Sequence, residues 1–343
     1  MFKMFRHLAP SCGRGNLALN QGNLGGRRLD TGDWDHNGQI RPQNWSLRDE
    51  GAPRDSENMS EPKTVLDIDR LEQDIDRLHA EYQSASPYPH IVLDDFLEPD
   101  AAKAALAEFP SVNPEQWTNY IHVNERKFSN TDVSTWGPTL QQILDTLNSP
   151  RFVQFIGKLL GADDLIADPS LEGGGLHQSA AGGFLNIHAD YTVHPHNRTW
   201  LRRANILLYL NDDWKPEYGG ALELWSADMK ECVQKIMPVA NRVVVFTTSA
   251  TAFHGHPEPM RCPEGVTRRS LALYYFSVED DPMVRSTTYR SRPGDGAHSI
   301  AIFADTQMLR AYDWTKRRLG LSDEVASRVL GLRDRMKRKR PQG

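Results

Sequence analysis

The 343-residue chain has 39% apolar and 25% charged side chains and a formal net charge of −5, the balance of a globular protein able to bury a core of its own. No run of about 18 apolar residues marks a membrane span, and no apolar block of roughly 7–15 residues opens the chain as a secretory signal, so a cytoplasmic address without a membrane partner is expected. The mild acidity gives no reason to expect a nucleic-acid partner, and three cysteines at irregular spacing, Cys12, Cys232 and Cys262, suggest neither a disulfide framework nor a Cys-x-x-Cys metal site.

Residues 1–60 are rich in Gly, Asn, Asp, Arg and Pro and hold no helical or alternating apolar pattern. Too little apolar surface is available there to offset ordering entropy, so this segment is expected to be disordered, and Met59 is an alternative start. Val65, Ile68, Leu71, Ile75, Leu78 and Tyr82 then recur at helical spacing. A strand is expected at His90–Leu93, a helix from Pro99 to about Phe109 that Pro110 stops, and two further helices at Pro138–Leu147 and Arg151–Leu160.

Beyond Gly161 the period changes. Strand-like runs follow at Phe184–Ala189, Ala204–Leu210, Ala221–Trp225, Arg242–Thr247, Thr251–His254 and Arg268–Val278, separated by Gly, Pro and Asn. Helices followed by many short strands predict an α+β fold, a jelly roll flanked by helices. The domain occupies 61–285. A Pro/Gly connector at Arg292–Gly296 then leads to helices at Thr306–Leu319 and Asp323–Lys337, so 286–343 is read as a connector and helical extension. The basic end Lys337-Arg338-Lys339-Arg340 is read as a solvated tail.

The chemistry is concentrated in the strand-rich half. Phe184–Asp190 ends in His-x-Asp, and the strand period places His188 and Asp190 on one face. Two such ligands grip a metal facially, and a third from a neighbouring strand completes a 2-His-1-carboxylate set with open positions, as a non-haem Fe(II) centre needs. The run Phe253-His254-Gly255-His256 offers that third ligand. Arg268 and Arg269 then open an otherwise apolar strand, where a buried guanidinium needs an anion. A carboxylate matches its fork.

The ordered series His-x-Asp, Tyr209-Leu210-Asn211, Gly219-Gly220-Ala221-Leu222, His254-Gly255 and Arg268-Arg269-Ser270-Leu271 resembles the prolyl 4-hydroxylase group of Fe(II)/2-oxoglutarate oxygenases over roughly Tyr88–Val278. The resemblance implies a double-stranded β-helix with iron held by His188, Asp190 and His254. His254 rather than His256 fits, since the family ligand directly precedes Gly. By the same resemblance Arg268 and Tyr209 bind the far carboxylate of 2-oxoglutarate, and Arg268, Ser270 and Ala272 face inward with Arg269 outside. Asn205, on the face of Tyr209, is read either as reaching toward the cosubstrate or as a structural amide. Gln178 stands ten residues before His188, where hypoxia-sensing prolyl hydroxylases have a pocket tyrosine.

The implied reaction uses O2 and 2-oxoglutarate, gives succinate and CO2, and hydroxylates a C–H bond of a proline residue, an amino acid or a small metabolite, with ascorbate as reductant. The substrate is thus a small molecule or a peptide. A zinc hydrolase on the same ligands and a non-catalytic jelly-roll binding module are the alternatives, and both leave Arg268 and Tyr209 without a role.

Overall fold

A computed structural model of the chain describes residues 64–307. The expected disorder of 1–60, the alternative start at Met59, most of the Thr306–Leu319 helix and all of Asp323–Lys337 lie outside the described residues. Among the described residues no helix is long and apolar enough to cross a membrane.

The helical pattern at 65–82 is realised as two short helices, α1 (Ile68–Gln73) and α2 (Ile75–Ser84), broken at Asp74. Strand β1 (His90–Leu93) follows, then α3 (Pro99–Glu108) with proline in its first turn. A hairpin that the sequence pattern did not signal comes next, β2 (Thr118–Ile121) and β3 (Glu125–Asn130). Helices α4 (Pro138–Leu147) and α5 (Pro150–Leu160) come where their apolar periodicity predicts. Ser149 caps α5 by accepting from the Phe152 amide, and Gly161 ends it in the left-handed conformation with φ 68°.

The remaining strands are β4 (Ile166–Ala167), β5 (Gly175–Ser179), β6 (Phe184–Ala189), β7 (Trp200–Tyr209), β8 (Leu222–Trp225), β9 (Cys232–Ile236), β10 (Arg242–Thr247), β11 (His254–His256), β12 (Arg268–Val278) and β13 (Thr288–Tyr289). All their pairings are antiparallel, in the order β1-β10-β7-β12-β5-β3-β6-β11-β8-β9. The set β10-β7-β12-β5 and the set β6-β11-β8-β9 are the two four-stranded faces of a double-stranded β-helix. Strand β3 joins them along one edge, and β13 adds to β6, so the chain beyond residue 285 still belongs to the sheet.

Alternation along the first face divides its side chains between two cores. Ile206, Leu208, Val243, Val245, Leu271, Leu273 and Tyr275 point to the helices and pack with Leu140, Ile143, Phe152, Phe155 and Ile156. Tyr209, Val244 and Phe246 point inward and meet Leu222, Leu224 and Ile236 of the second face. Each such apolar side chain contributes about 1.5–3 kcal/mol on burial, which makes the helix-covered face a rigid back wall. Strand β11 begins at His254 instead of ending there, and β7 starts four residues before the apolar run begins. Residues 298–307 are helical, eight residues before the helix start expected at Thr306, and no strand or helix occupies 292–296.

Candidate metal centre and anion anchor

At the open end of the β-helix, β6 and β11 pair so that His188 faces His254 directly, and Asp190 follows β6 by one residue. His188, Asp190 and His254 each offer a ligand atom, all within 4.8 Å of one another. His188 Nε2 lies 3.5 Å from Asp190 Oδ1, and His254 Nε2 lies 3.5 Å from Asp190 Oδ2.

Their other nitrogens settle which way the rings present themselves. His188 Nδ1 is 2.9 Å from the Asn186 carbonyl, and His254 Nδ1 is 3.0 Å from the Ala252 carbonyl. A carbonyl can only accept, so Nδ1 carries a proton, and in the neutral ring Nε2 turns a lone pair toward Asp190. For His254, burial pushes the imidazole down to about 4, which keeps it neutral near pH 7. Two lone pairs and a carboxylate then converge with no proton among them. A cation resolves that repulsion, and a 2-His-1-carboxylate set suits Fe(II).

Asp190 is held from behind. Asn205 on β7 donates Nδ2 to Asp190 Oδ2 at 2.7 Å, and Arg202 Nη2 lies 3.3 Å from the same oxygen. Arg202 Nε also donates to Asn205 Oδ1 at 2.7 Å. Burial alone would raise the Asp190 carboxyl, but the Arg202 guanidinium beside it holds it well below the usual range. Arg202 reaches this face because β7 carries an extra residue opposite Tyr275 and Phe276. The bulge turns Arg202 inward beside Asn205. The buried guanidinium stacks 3.3 Å from the Tyr274 ring centroid and 4.7 Å from that of Tyr191. Those hydroxyls are tied to the Gly173 and Glu172 carbonyls.

A second buried polar group is built on β12 and β7. Arg268 is buried at the start of β12, donating Nε to the Gly220 carbonyl at 2.8 Å and Nη2 to the Tyr209 hydroxyl at 3.2 Å. No carboxylate pairs with it among the described residues. Tyr209 accepts that bond, so its own hydroxyl proton remains to be donated. Gly220 has φ +71°, and a Cβ there would lie 2.8 Å from Met260 Sδ and 3.0 Å from Arg268 Cδ. The Gly-Gly sequence therefore supplies both the backbone turn and the room for the arginine. Ser270 sits two residues along β12 on the same face, in register with Tyr209 and His177, and Arg269 points away over the Phe109 ring.

One expected contact is corrected. Gln178 does not face the site. It is in register with outward-facing Arg269, donates to the Pro110 carbonyl and accepts from Thr267 Oγ1. One residue of strand phase turns it to the helix side and leaves its neighbours His177 and Ser179 inside. Asn205 faces inward, its amide nitrogen donating to Asp190 and its amide oxygen accepting from Arg202 and Thr248.

Three groups escaped the sequence reading. Lys127 and Glu125 on β3 form a buried pair at 3.1 Å, and Glu125 also meets His122 Nε2 at 2.7 Å. Against its burial, Lys127 and His122 hold the Glu125 carboxyl well below its ordinary range. Arg202 is the third. Its signal was present, since an arginine three residues before a buried asparagine on an apolar strand needs a counter-charge. The Glu-Arg-Lys of β3 gave none, because a strand facing a polar pocket lacks the apolar alternation that marks strands.

Residues 174–276 match the family profile described as the 2OG-Fe(II) oxygenase superfamily. The matched segment carries the triad, Tyr209 and Arg268. A stretch of the chain is 29% identical over 96 residues to the mouse prolyl 3-hydroxylase OGFOD1, covering 27% of this chain and 17% of that protein. The chain thus spans well under two thirds of that relative's length. Among solved structures, a prolyl-4-hydroxylase from Pseudomonas putida aligns at 21% identity over 58% of this chain and 98% of that one, with a TM-score of 0.43. A prolyl hydroxylase from Trichoplax adhaerens, solved with a hypoxia inducible factor peptide fragment, aligns at 16% identity over 61% and 92%, with a TM-score of 0.45.

Proposed function

We propose that this chain is an Fe(II)- and 2-oxoglutarate-dependent dioxygenase, in which His188, Asp190 and His254 hold the iron and Arg268 and Tyr209 hold the far carboxylate of 2-oxoglutarate. One observation carries the reading. The same barrel interior holds a cluster of acceptors lacking a cation and a cluster of donors lacking an anion. A metal and a dicarboxylate that spans from it to Arg268 complete both.

In this reading iron, 2-oxoglutarate and O2 supply the oxidising chemistry, which yields succinate and CO2 and hydroxylates a C–H bond. The chain's own residues position and shield. Asn205 and Arg202 fix the orientation of Asp190, so the carboxylate meets the metal without rotating. Arg268 and Tyr209 bind the non-reacting end, so that remote binding energy orients the reacting end. Phe246, 4.6 Å from the His254 ring, and Tyr289, 5.3 Å from the His188 ring, wall the two ligands against water.

The acceptor of the oxygen atom is a proline residue, an amino acid or a small metabolite. The similarity to a prolyl 3-hydroxylase favours the proline ring. Ascorbate would keep the iron reduced, and a cytoplasmic setting suits these cofactors. The test is succinate formation from 2-oxoglutarate under O2, with and without Fe(II), and with proline peptides and amino acids screened for a gain of one oxygen by mass. Iron-dependent succinate that disappears in Asp190→Ala is expected. Succinate formation by wild type that survives in Asp190→Ala, or none in wild type with Fe(II), contradicts the proposal.

A further inference from the structure

The sequence offers a second histidine beside the third ligand, and the barrel gives it a place. His256 ends β11 on the β-helix interior and is 4% exposed. Between His254 and His256 the partner strand β6 moves from His188 to Leu185, one residue more than β11 advances. This bulge keeps His256 out of the ligand cluster while leaving it inside the barrel. Its Nδ1 is fully buried and has no hydrogen-bond partner among the described residues. The other two buried orphan atoms are Tyr82 Oη and Trp117 Nε1, and both belong to residues of the helix-side core. The charged and titratable groups that act on buried His256 are Arg268 first, then Lys127, the ligand His188 and Glu125.

A buried polar nitrogen without a partner forfeits about 1–3 kcal/mol. Such a group persists where a ligand completes it. The positive charge of Arg268 and Lys127 makes an anion the partner that fits, and Arg268 itself lacks a carboxylate among the described residues. A metal is a poor alternative, because Arg268 and Lys127 repel one.

We infer that His256 donates Nδ1–H to the carboxylate that Arg268 and Tyr209 hold, and so acts as a further positioning residue for the cosubstrate that selects a dicarboxylate over a monocarboxylate. This rests on the function proposed above. It goes beyond it by assigning a third donor to the far end of 2-oxoglutarate and by giving the second histidine of His-Gly-His a role separate from iron.

The test is calorimetric titration of the anaerobic, Fe(II)-loaded full chain with 2-oxoglutarate and with 2-oxopentanoate, which keeps the 2-oxo acid but lacks the far carboxylate. His256→Ala should weaken 2-oxoglutarate roughly 10- to 100-fold, the range for a hydrogen bond to a charged group, and leave 2-oxopentanoate and the iron stoichiometry unchanged. His256→Asn, whose amide nitrogen falls near Nδ1, should restore part of the loss. His256→Gln, which reaches toward Nε2, should not. Unchanged 2-oxoglutarate affinity in His256→Ala overturns the inference, and so does an equal loss for both ligands, which marks packing alone. If His256→Ala does not fold, the Asn and Gln variants decide, since equal affinity in both contradicts an Nδ1 contact. Failure of wild type to bind 2-oxoglutarate at all defeats the underlying function instead.

Discussion

Two polar centres share the interior of one β-helix, and they are opposite in kind. At the mouth, His188, Asp190 and His254 bring acceptors together, with Asn205 and Arg202 satisfying Asp190 from behind but nothing satisfying the side where the three converge. On β12, β7 and β11, Arg268, Tyr209 and His256 bring donors together with no carboxylate among them. A centre built for stability would interleave donors and acceptors, because buried polar groups left unpaired are costly. Separating them defines a ligand with a positive end and a negative end.

The largest way to break this contrast is to remove the Arg268 charge. Arg268→Ala should cost about 2–5 kcal/mol of 2-oxoglutarate affinity, the range for truncating one member of a buried charged pair, while metal binding at the mouth stays intact. Calorimetry with each ligand in turn checks both halves.

The buried histidines of both centres should respond to acid with the same sign, because burial lowers His254 and His256 alike. The His254 ring titrates at about 4 when folded, against roughly 6.5 when unfolded. Between those values the unfolded chain binds a proton that the folded ring refuses, so stability is complete above pH 6.5 and falls as pH falls. The loss amounts to about 3 kcal/mol by pH 4, at about 1.4 kcal/mol per unit. His177, pushed to about 3 chiefly by burial, acts with the same sign. Urea unfolding of metal-free protein across this range should show the slope, and His254→Gln should reduce it.

Arg202 sharpens the division between holding a ligand and being one. Arg202→Leu should weaken metal binding roughly 10- to 100-fold, as loss of a group supporting a ligand does, with little change in the contribution of Arg268 to 2-oxoglutarate binding. A double-mutant cycle between the two sites measures their independence. The smallest effect belongs to Gln178. Its amide serves the helix side, so Gln178→Ala should leave 2-oxoglutarate affinity within about twofold and lower stability by only about 1 kcal/mol.

The β-helix and the mouth were legible because both are written in short-range pattern. The His-x-Asp spacing is a strand period, and the apolar runs of β6, β10 and β12 name their own faces. Gln178 was misplaced because counting residues back from His188 ignores a one-residue change of strand phase at Ala180–Gly183. Arg202 depended on a bulge, and the bulge is visible only when β7 is laid against β12. Lys127 and Glu125 sit on a strand with no apolar alternation, brought to the site by β3 pairing with β5 and β6. His256 was visible as a residue, but its role depends on which atoms around it lack partners, and that is a property of packing.

The most direct test is an anaerobic absorption titration, in which Fe(II)-loaded protein receives 2-oxoglutarate and the visible charge-transfer band of an iron-bound 2-oxo acid is followed. The band should require both additions, vanish in Asp190→Ala, and persist in Arg268→Ala only at much higher 2-oxoglutarate. No band in wild type, or an identical midpoint in Arg268→Ala, would contradict the pairing of a metal mouth with a carboxylate anchor.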